Sequence, residues 1–150
     1  MASKKITAVI QARLISSRFK NKILKKVNGI ELILFLISRL KQCKYLEDII
    51  VAIPKNEKNN KLNTFLAKSR IKVFRGSEEN VLHRFYNCSK KYKLNNILRI
   101  TSDCPLVDPK LIDKMSAEFL SKKVDYLSNT IVRSFPDGLD AEFFTFETLK

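Results

Sequence analysis

The chain has 150 residues, of which 45% are hydrophobic and 29% charged, with a formal net charge of +14. At this length one domain spanning residues 1–150 is the default, with about two thirds of the unfolded surface buried. No apolar run approaches the roughly 20 residues that cross a bilayer, and "MASKK" at the start lacks the apolar segment of a secretory signal. A cytoplasmic location is therefore expected.

Elements follow in order from hydrophobic period. "ITAVIQA" (6–12) reads as a buried strand, and "ELILFLISRLKQC" (31–43) as a helix with Leu32, Ile33, Leu36, Ile37 and Leu40 on one stripe. "DIIVAIP" (48–54) is a strand stopped by Pro54, and "NKLNTFLAKS" (60–69) an amphipathic helix. "IKVF" (71–74) is a strand, followed by a helix over 77–92, with Ser77 as N-cap and Glu78 and Glu79 at its positive end. "NILRIT" (96–101) is a strand, 108–123 a helix capped by Asp108 with Pro109 in its first turn, and "DYLSN" (125–129) a strand. "FETLK" at the end resembles the first turn of a helix that does not continue, so a C-terminally truncated product or fragment is expected. Strands and helices alternate at βαβ lengths. The predicted fold is α/β, a three-layer, mostly parallel, Rossmann-like sheet with helices on both faces. Ligands of such sheets bind beyond the carboxyl ends of the strands.

That edge rule directs attention to two loops. The segment after the first strand, "QARLISSRFKNK", carries Arg13, Ser16, Ser17, Arg18, Lys20 and Lys22. The chain has three glycines, none in this loop, and neither GxxxxGK nor GxGxxG occurs. A polyphosphate here would be held by side chains, with guanidinium forks and mobile ammonium groups. The alternative is a solvated basic loop. In "RITSDCPLVDP" (99–109), Asp103 falls just past a strand expected to be central, near Arg13 and Lys22. It is either a turn former or a carboxylate for Mg²⁺, which takes one or two protein carboxylates and fills its shell with phosphate and water. In "SFPDGLDAEFF" (134–144), Asp140 and Glu142 stand at i and i+2 of an apparent strand and so share a face. They could bind sugar hydroxyls, act as a base, or be solvated.

The three cysteines, Cys43, Cys88 and Cys104, form neither a metal-ligand pattern nor a disulfide framework. His83 is the single histidine and has no evident link to Cys104.

Four segments, "QARLISSRFKNK", "VFRGSEENVLHRF", "RITSDCPLVDP" and "SNTIVRSFPDGLDAEFF", resemble in order and spacing the cytidylyltransferase-like proteins of spore-coat polysaccharide biosynthesis protein F type. These are relatives of acylneuraminate and 3-deoxy-manno-octulosonate cytidylyltransferases. The resemblance implies a GT-A-type nucleotide-diphospho-sugar transferase fold and Mg²⁺-dependent transfer of a cytidylyl group from CTP to a sugar or sugar acid, with release of pyrophosphate, in surface polysaccharide synthesis. The first motif, similar to A-R-x-x-S-x-R-x-x-x-K, carries over to Ala12, Arg13, Ser16, Arg18 and Lys22 as the triphosphate loop. The resemblance makes Arg13, Arg18 and Lys22 the catalytic cations, Asp103 the Mg²⁺ ligand, and Arg75, Gly76 and Ser77 the segment along the nucleobase. It places Asn129, Asp137, Asp140 and Glu142 toward the acceptor, and leaves the general base open.

The sequence departs from the family pattern in four places. Lys20-Asn21 replaces the usual Pro-Gly, and Asn80 and His83 replace acidic residues around "VL". A second metal-binding aspartate, which the family carries in a late motif, has no counterpart here.

Two other functions stay open at this point. One is a non-catalytic family fragment that binds nucleotide or a partner. The other is a nucleic-acid module driven by the net charge, against which stand lysines scattered along the chain and Phe residues at core-like positions. "LILFLI" leaves apolar side chains on more than one helix face, which leaves room for a homodimer.

Overall fold

The computed structural model describes residues 6–14, 19 and 21–150. In chain order, the strands are β1 (Ile6–Gln11), β2 (Lys26–Val27), β3 (Ile30–Glu31), β4 (Leu46–Pro54), β5 (Lys72–Gly76), β6 (Asn96–Thr101), β7 (Tyr126–Ser128) and β8 (Glu142–Thr145). The helices are α1 (Leu32–Leu40), α2 (Asn60–Lys68), α3 (Val81–Tyr92) and α4 (Pro109–Lys122). Six strands form one sheet in the order β5-β4-β1-β6-β8-β7, and β2 and β3 form a separate small hairpin. β5, β4, β1 and β6 are parallel neighbours, whereas β8 runs antiparallel to β6 and β7 antiparallel to β8.

The two-residue period of the strands sorts their side chains into two cores. Ile6, Ala8 and Ile10 of β1 face a cluster with Ile33 and Leu36 of α1, Leu62 of α2 and Ile112 of α4. Val9, on the opposite face, packs with Phe85 and Cys88 of α3. Three helices thus cover one side of the sheet and α3 the other. Arg39 of α1 donates from Nε to the Val107 carbonyl at 2.6 Å, fastening α1 to the segment before α4. Asp108 caps α4 as expected, its side chain accepting from Lys110 N at 3.0 Å. Among the described residues no helix is long and apolar enough to cross a membrane.

Three local expectations need correction. The helix placed over 77–92 begins at Val81, and its N-cap is Asn80, whose side chain accepts from His83 N at 2.8 Å. Ser77 instead accepts from Asn80 N, which closes a turn ahead of the helix and leaves Glu78 and Glu79 outside it. Asp140 precedes β8, so it does not share a strand with Glu142. "FETLK" is a single 3-10 turn, Glu147–Leu149.

The cysteines are all buried and unpaired. Burial pushes the Cys43 and Cys88 thiols up to about 12 and raises Cys104 as well. At pH 8 a thiol of that pKa is thiolate in about one molecule in ten thousand. Iodoacetamide at pH 8 is therefore expected to leave the native chain unlabelled, followed by mass spectrometry, and to label three positions once it is unfolded.

Candidate active site at the carboxyl edge of the sheet

β1 and β6 pair directly, Gln11 opposite Thr101, so the loops that follow them start side by side. A backbone bond continues this pairing, Ser102 N donating to the Gln11 carbonyl at 3.0 Å, while Ala12 N donates to the Ala52 carbonyl of β4 at 3.1 Å on the other side of β1. The result is a cavity of about 660 Å³ at the carboxyl ends of the parallel strands. Arg13 and Lys22 of the first loop, Lys58 from the segment after β4, Arg84 of α3, and Asp103 after β6 all line it. Among the described residues, four cations face two acids there, Asp103 and Glu78. Such a basin favours an anionic occupant, because converging cations in a partly dry cleft raise the local concentration of negative ligands.

Lys22 reaches its place through an unusual backbone. Asn21 is left-handed (φ 56°), and the chain then makes a short 3-10 turn over Lys22–Leu24 with Ile23 buried in the core. This is where the related pattern has Gly. Asn is the next residue to tolerate that region, while a β-branched side chain strains it by more than the ~1–2 kcal/mol general cost. Asn21→Val is expected to lower the unfolding midpoint and weaken ligand binding by misplacing Lys22, whereas Asn21→Gly preserves both. Thermal melts and CTP titration of the two variants distinguish these outcomes.

From that turn the Lys22 Nζ lies 3.6 Å from Asp103 Oδ2. Burial works to raise the Asp103 carboxyl, but the Thr101 hydroxyl and the Lys22 ammonium outweigh it and hold the carboxyl below its ordinary value. The two side chains are 35% and 52% exposed, so the pair contributes only ~0–1 kcal/mol. Lys22 can exchange this carboxylate for a phosphate at little cost. Among the described residues no group of three or more His, Cys, Asp or Glu side chains could hold a metal ion. Asp103 fits instead a divalent cation that arrives with phosphate oxygens, since Mg²⁺ needs only one or two protein carboxylates.

The other sequence-derived positions fall in different places. Ala12 is buried in the cavity wall, and Ser16 and Arg18 lie outside the described residues. Arg75 and Gly76 end β5 and Ser77 follows it, and none of the three lines the cavity. Arg75 is turned back to α2, donating from Nη2 to the Asn56 carbonyl and to Asn60 Oδ1, each at 2.8 Å. A Cβ on Gly76 would stand 2.7 Å from Phe74 Cε1 and 2.9 Å from Arg84 Cγ, so glycine is what lets α3 approach the end of β5. Asn129, Asp137, Asp140 and Glu142 do not line the cavity. Asn129 braces its own loop, accepting from Ala141 N and donating to the Leu139 carbonyl. Asp137 and Asp140 both face Arg133, and Glu142 pairs with Arg99. Asp137 and Asp140 thus share one arginine and Glu142 pairs with another, so Asp140 and Glu142 do not form the pair on one strand face that their spacing suggested. Glu142 lines a second, more apolar cavity of about 290 Å³ with Leu82, Phe85, Arg99, Tyr126 and Phe144.

Reading by motif missed three contributors. Asn59, 3% exposed, accepts from Leu14 N at 2.8 Å and is itself fixed by Asn56 Oδ1, which clamps the first loop to the segment after β4. Gln11 accepts from Arg99 Nε and Nη2 at 3.1 and 2.9 Å. Arg84 is 3% exposed in the cavity wall. The edge rule applied to "PKNEKNN" would have found the asparagines, since it holds for every parallel strand.

Comparisons with known proteins agree with this geometry. The chain is 42% identical over 146 residues to the uncharacterized protein MJ1063 of Methanocaldococcus jannaschii, covering 97% of this chain and 59% of that protein. It is 33% identical to the spore coat polysaccharide biosynthesis protein SpsF of Bacillus subtilis, over 91% of this chain and 58% of the relative. Among solved structures, a cytidylyltransferase from Leptospira borgpetersenii superposes with a TM-score of 0.90 at 33% identity, covering 97% of this chain and 62% of that one. The chain thus spans about three fifths of the length of these relatives. Its α/β architecture with a mixed, mostly parallel sheet is the Rossmann-like fold of those neighbours. Residues 7–147 match the Cytidylyltransferase family, and the chain, with its cationic cavity at the sheet's carboxyl edge, belongs to it.

Proposed function

We propose that this chain binds CTP in the cavity beyond β1 and β6 and serves transfer of a cytidylyl group to a sugar or sugar acid. One observation carries the reading: in a chain of the Cytidylyltransferase family, Arg13, Lys22 and Asp103 meet in one cavity although the loops that bear them are far apart in sequence. In the reaction an acceptor hydroxyl oxygen attacks the α-phosphorus. The bond from that phosphorus to the pyrophosphate oxygen breaks, pyrophosphate leaves with the electron pair, and the hydroxyl proton passes to solvent water. Little covalent work falls to the protein. Arg13 and Lys22 neutralise and orient the triphosphate, and positioning with charge stabilisation supplies the acceleration. Ser16 and Arg18, on the same loop, are assigned to the triphosphate as well.

The family's reaction depends on Mg²⁺. Asp103 is the residue that would hold it, and the ion would withdraw charge from the phosphate oxygens. Arg75, Gly76 and Ser77 are assigned to the nucleobase side, and Asn129, Asp137, Asp140 and Glu142 to the acceptor side.

A second reading, nucleotide binding without turnover, is favoured by the absence, among the described residues, of a group of three or more His, Cys, Asp or Glu side chains that could hold a metal ion. Isothermal titration with CTP at fixed Mg²⁺, paired with a pyrophosphate-release assay over a panel of sugars and sugar acids, separates the two. The expected result is saturable, Mg²⁺-enhanced CTP binding and acceptor-dependent pyrophosphate. Binding without release selects the second reading, and no CTP binding overturns both.

A further inference from the structure

Arg84 sits where burial and a neighbouring arginine both oppose its charge. It is 3% exposed, and among the described residues no carboxylate lies within ion-pair distance of it. Its Nη1 donates to the Ser77 carbonyl, but its buried Nε–H has no hydrogen-bond partner among the described residues. It occupies the first turn of α3, a 12-residue helix whose exposed N–H groups make that end positive. Burial lowers the tendency of the guanidinium to hold its proton, repulsion from Arg13 across the cavity adds to this, and Glu78 partly opposes it. A buried, under-bonded charge is destabilising, and a fold keeps one where a ligand removes the penalty. Gly76 is part of the device: a side chain there would collide with Arg84 Cγ, so the helix could not seat the arginine in the wall.

We propose that Arg84 is a second anion receptor of this site, a guanidinium left without a carboxylate so that a phosphate of the bound nucleotide becomes its partner, opposite Arg13. This rests on the nucleotide reading of the cavity and adds to the first-loop grip a residue from a different element. An anion satisfies the orphan Nε–H, relieves the repulsion between the two arginines, and meets the positive end of α3 at once. A base carbonyl could use the same N–H, but would leave the charge uncompensated.

The test compares wild type with Arg84→Met and Arg84→Lys in titrations with CTP, inorganic tripolyphosphate and cytidine at constant ionic strength, together with thermal melts. Arg84→Met is expected to weaken CTP and tripolyphosphate at least tenfold, to leave cytidine unchanged, and to melt no lower than wild type without ligand. Arg84→Lys keeps the charge but loses the fork, and is expected to fall between them; it carries the comparison if the Met variant does not fold. Unchanged tripolyphosphate binding in either folded variant overturns the proposal, as does a loss confined to CTP and cytidine, which would assign Arg84 to the base. Wild type that binds neither CTP nor tripolyphosphate overturns the nucleotide reading itself, a result distinguishable from failure of the Arg84 role alone.

Discussion

Asp103→Asn is expected to abolish the Mg²⁺ response of CTP binding while leaving metal-free binding intact or slightly stronger. The two effects have one origin. The carboxylate is the group that fits a divalent cation at the phosphate end of the cavity, and it is also the resting partner of Lys22 at 3.6 Å. Removing its charge deprives the ion of its protein ligand and frees the ammonium for the triphosphate. The pair being freed contributes only ~0–1 kcal/mol, so the gain without metal is small and the loss with metal dominates. Where turnover is measurable, a fall of about 10²–10³-fold is expected, the usual size for removing a preorganised charge contact. Titrating CTP with and without Mg²⁺ on both proteins gives four affinities. If the variant still tightens on adding Mg²⁺, the metal is held elsewhere.

Phe143→Ala is expected to produce the largest loss of stability, about 3–5 kcal/mol, because it removes a ring with no solvent exposure and leaves a void. Phe143 lies in β8 opposite Leu98 of β6 and Leu127 of β7, and its ring stands 5.7 Å from that of Phe119 in α4. It therefore joins two strands to a helix, and a smaller side chain cannot be compensated by moving one of them. A drop in melting temperature on the order of 10 °C corresponds to this loss for a chain of this size. Leu82→Ala, at a side chain 63% exposed, is the control, expected within ~0.5 kcal/mol of wild type. Equal melting of the two variants would show that β8 is not integral to the core.

The parallel half of the sheet was legible in the sequence because β1, β4, β5 and β6 are short apolar runs separated by segments of helical period. "NILRIT" coincides with β6, and Asp108-Pro109 marks the start of α4. Placement of Arg13 and Asp103 at one edge followed from topology alone. Features that depend on distant partners were not legible. The sequence reading set the start of α3 at Ser77, three residues before the true cap, because a capping oxygen is a local feature and only the bonds formed in the fold select Asn80. Asp140 and Glu142 read as a pair because their arginines, Arg133 and Arg99, are invisible to a two-residue period. Arg84 was assigned no role by the sequence reading. Its burial arises from the close approach that Gly76 permits, which no local pattern encodes.

The direct pairing of β1 with β6 has a kinetic corollary. Neither loop alone holds both the cations and the acid, and the hydrogen bond from Ser102 to Gln11 that aligns them closes a large excursion of the chain. Such non-local joints form late in folding, after their loop-closure entropy has been offset. On the nucleotide reading proposed above, partly folded forms lack the assembled site, so a bound nucleotide would draw the population toward the finished sheet by mass action and lift the apparent melting point with the logarithm of its concentration.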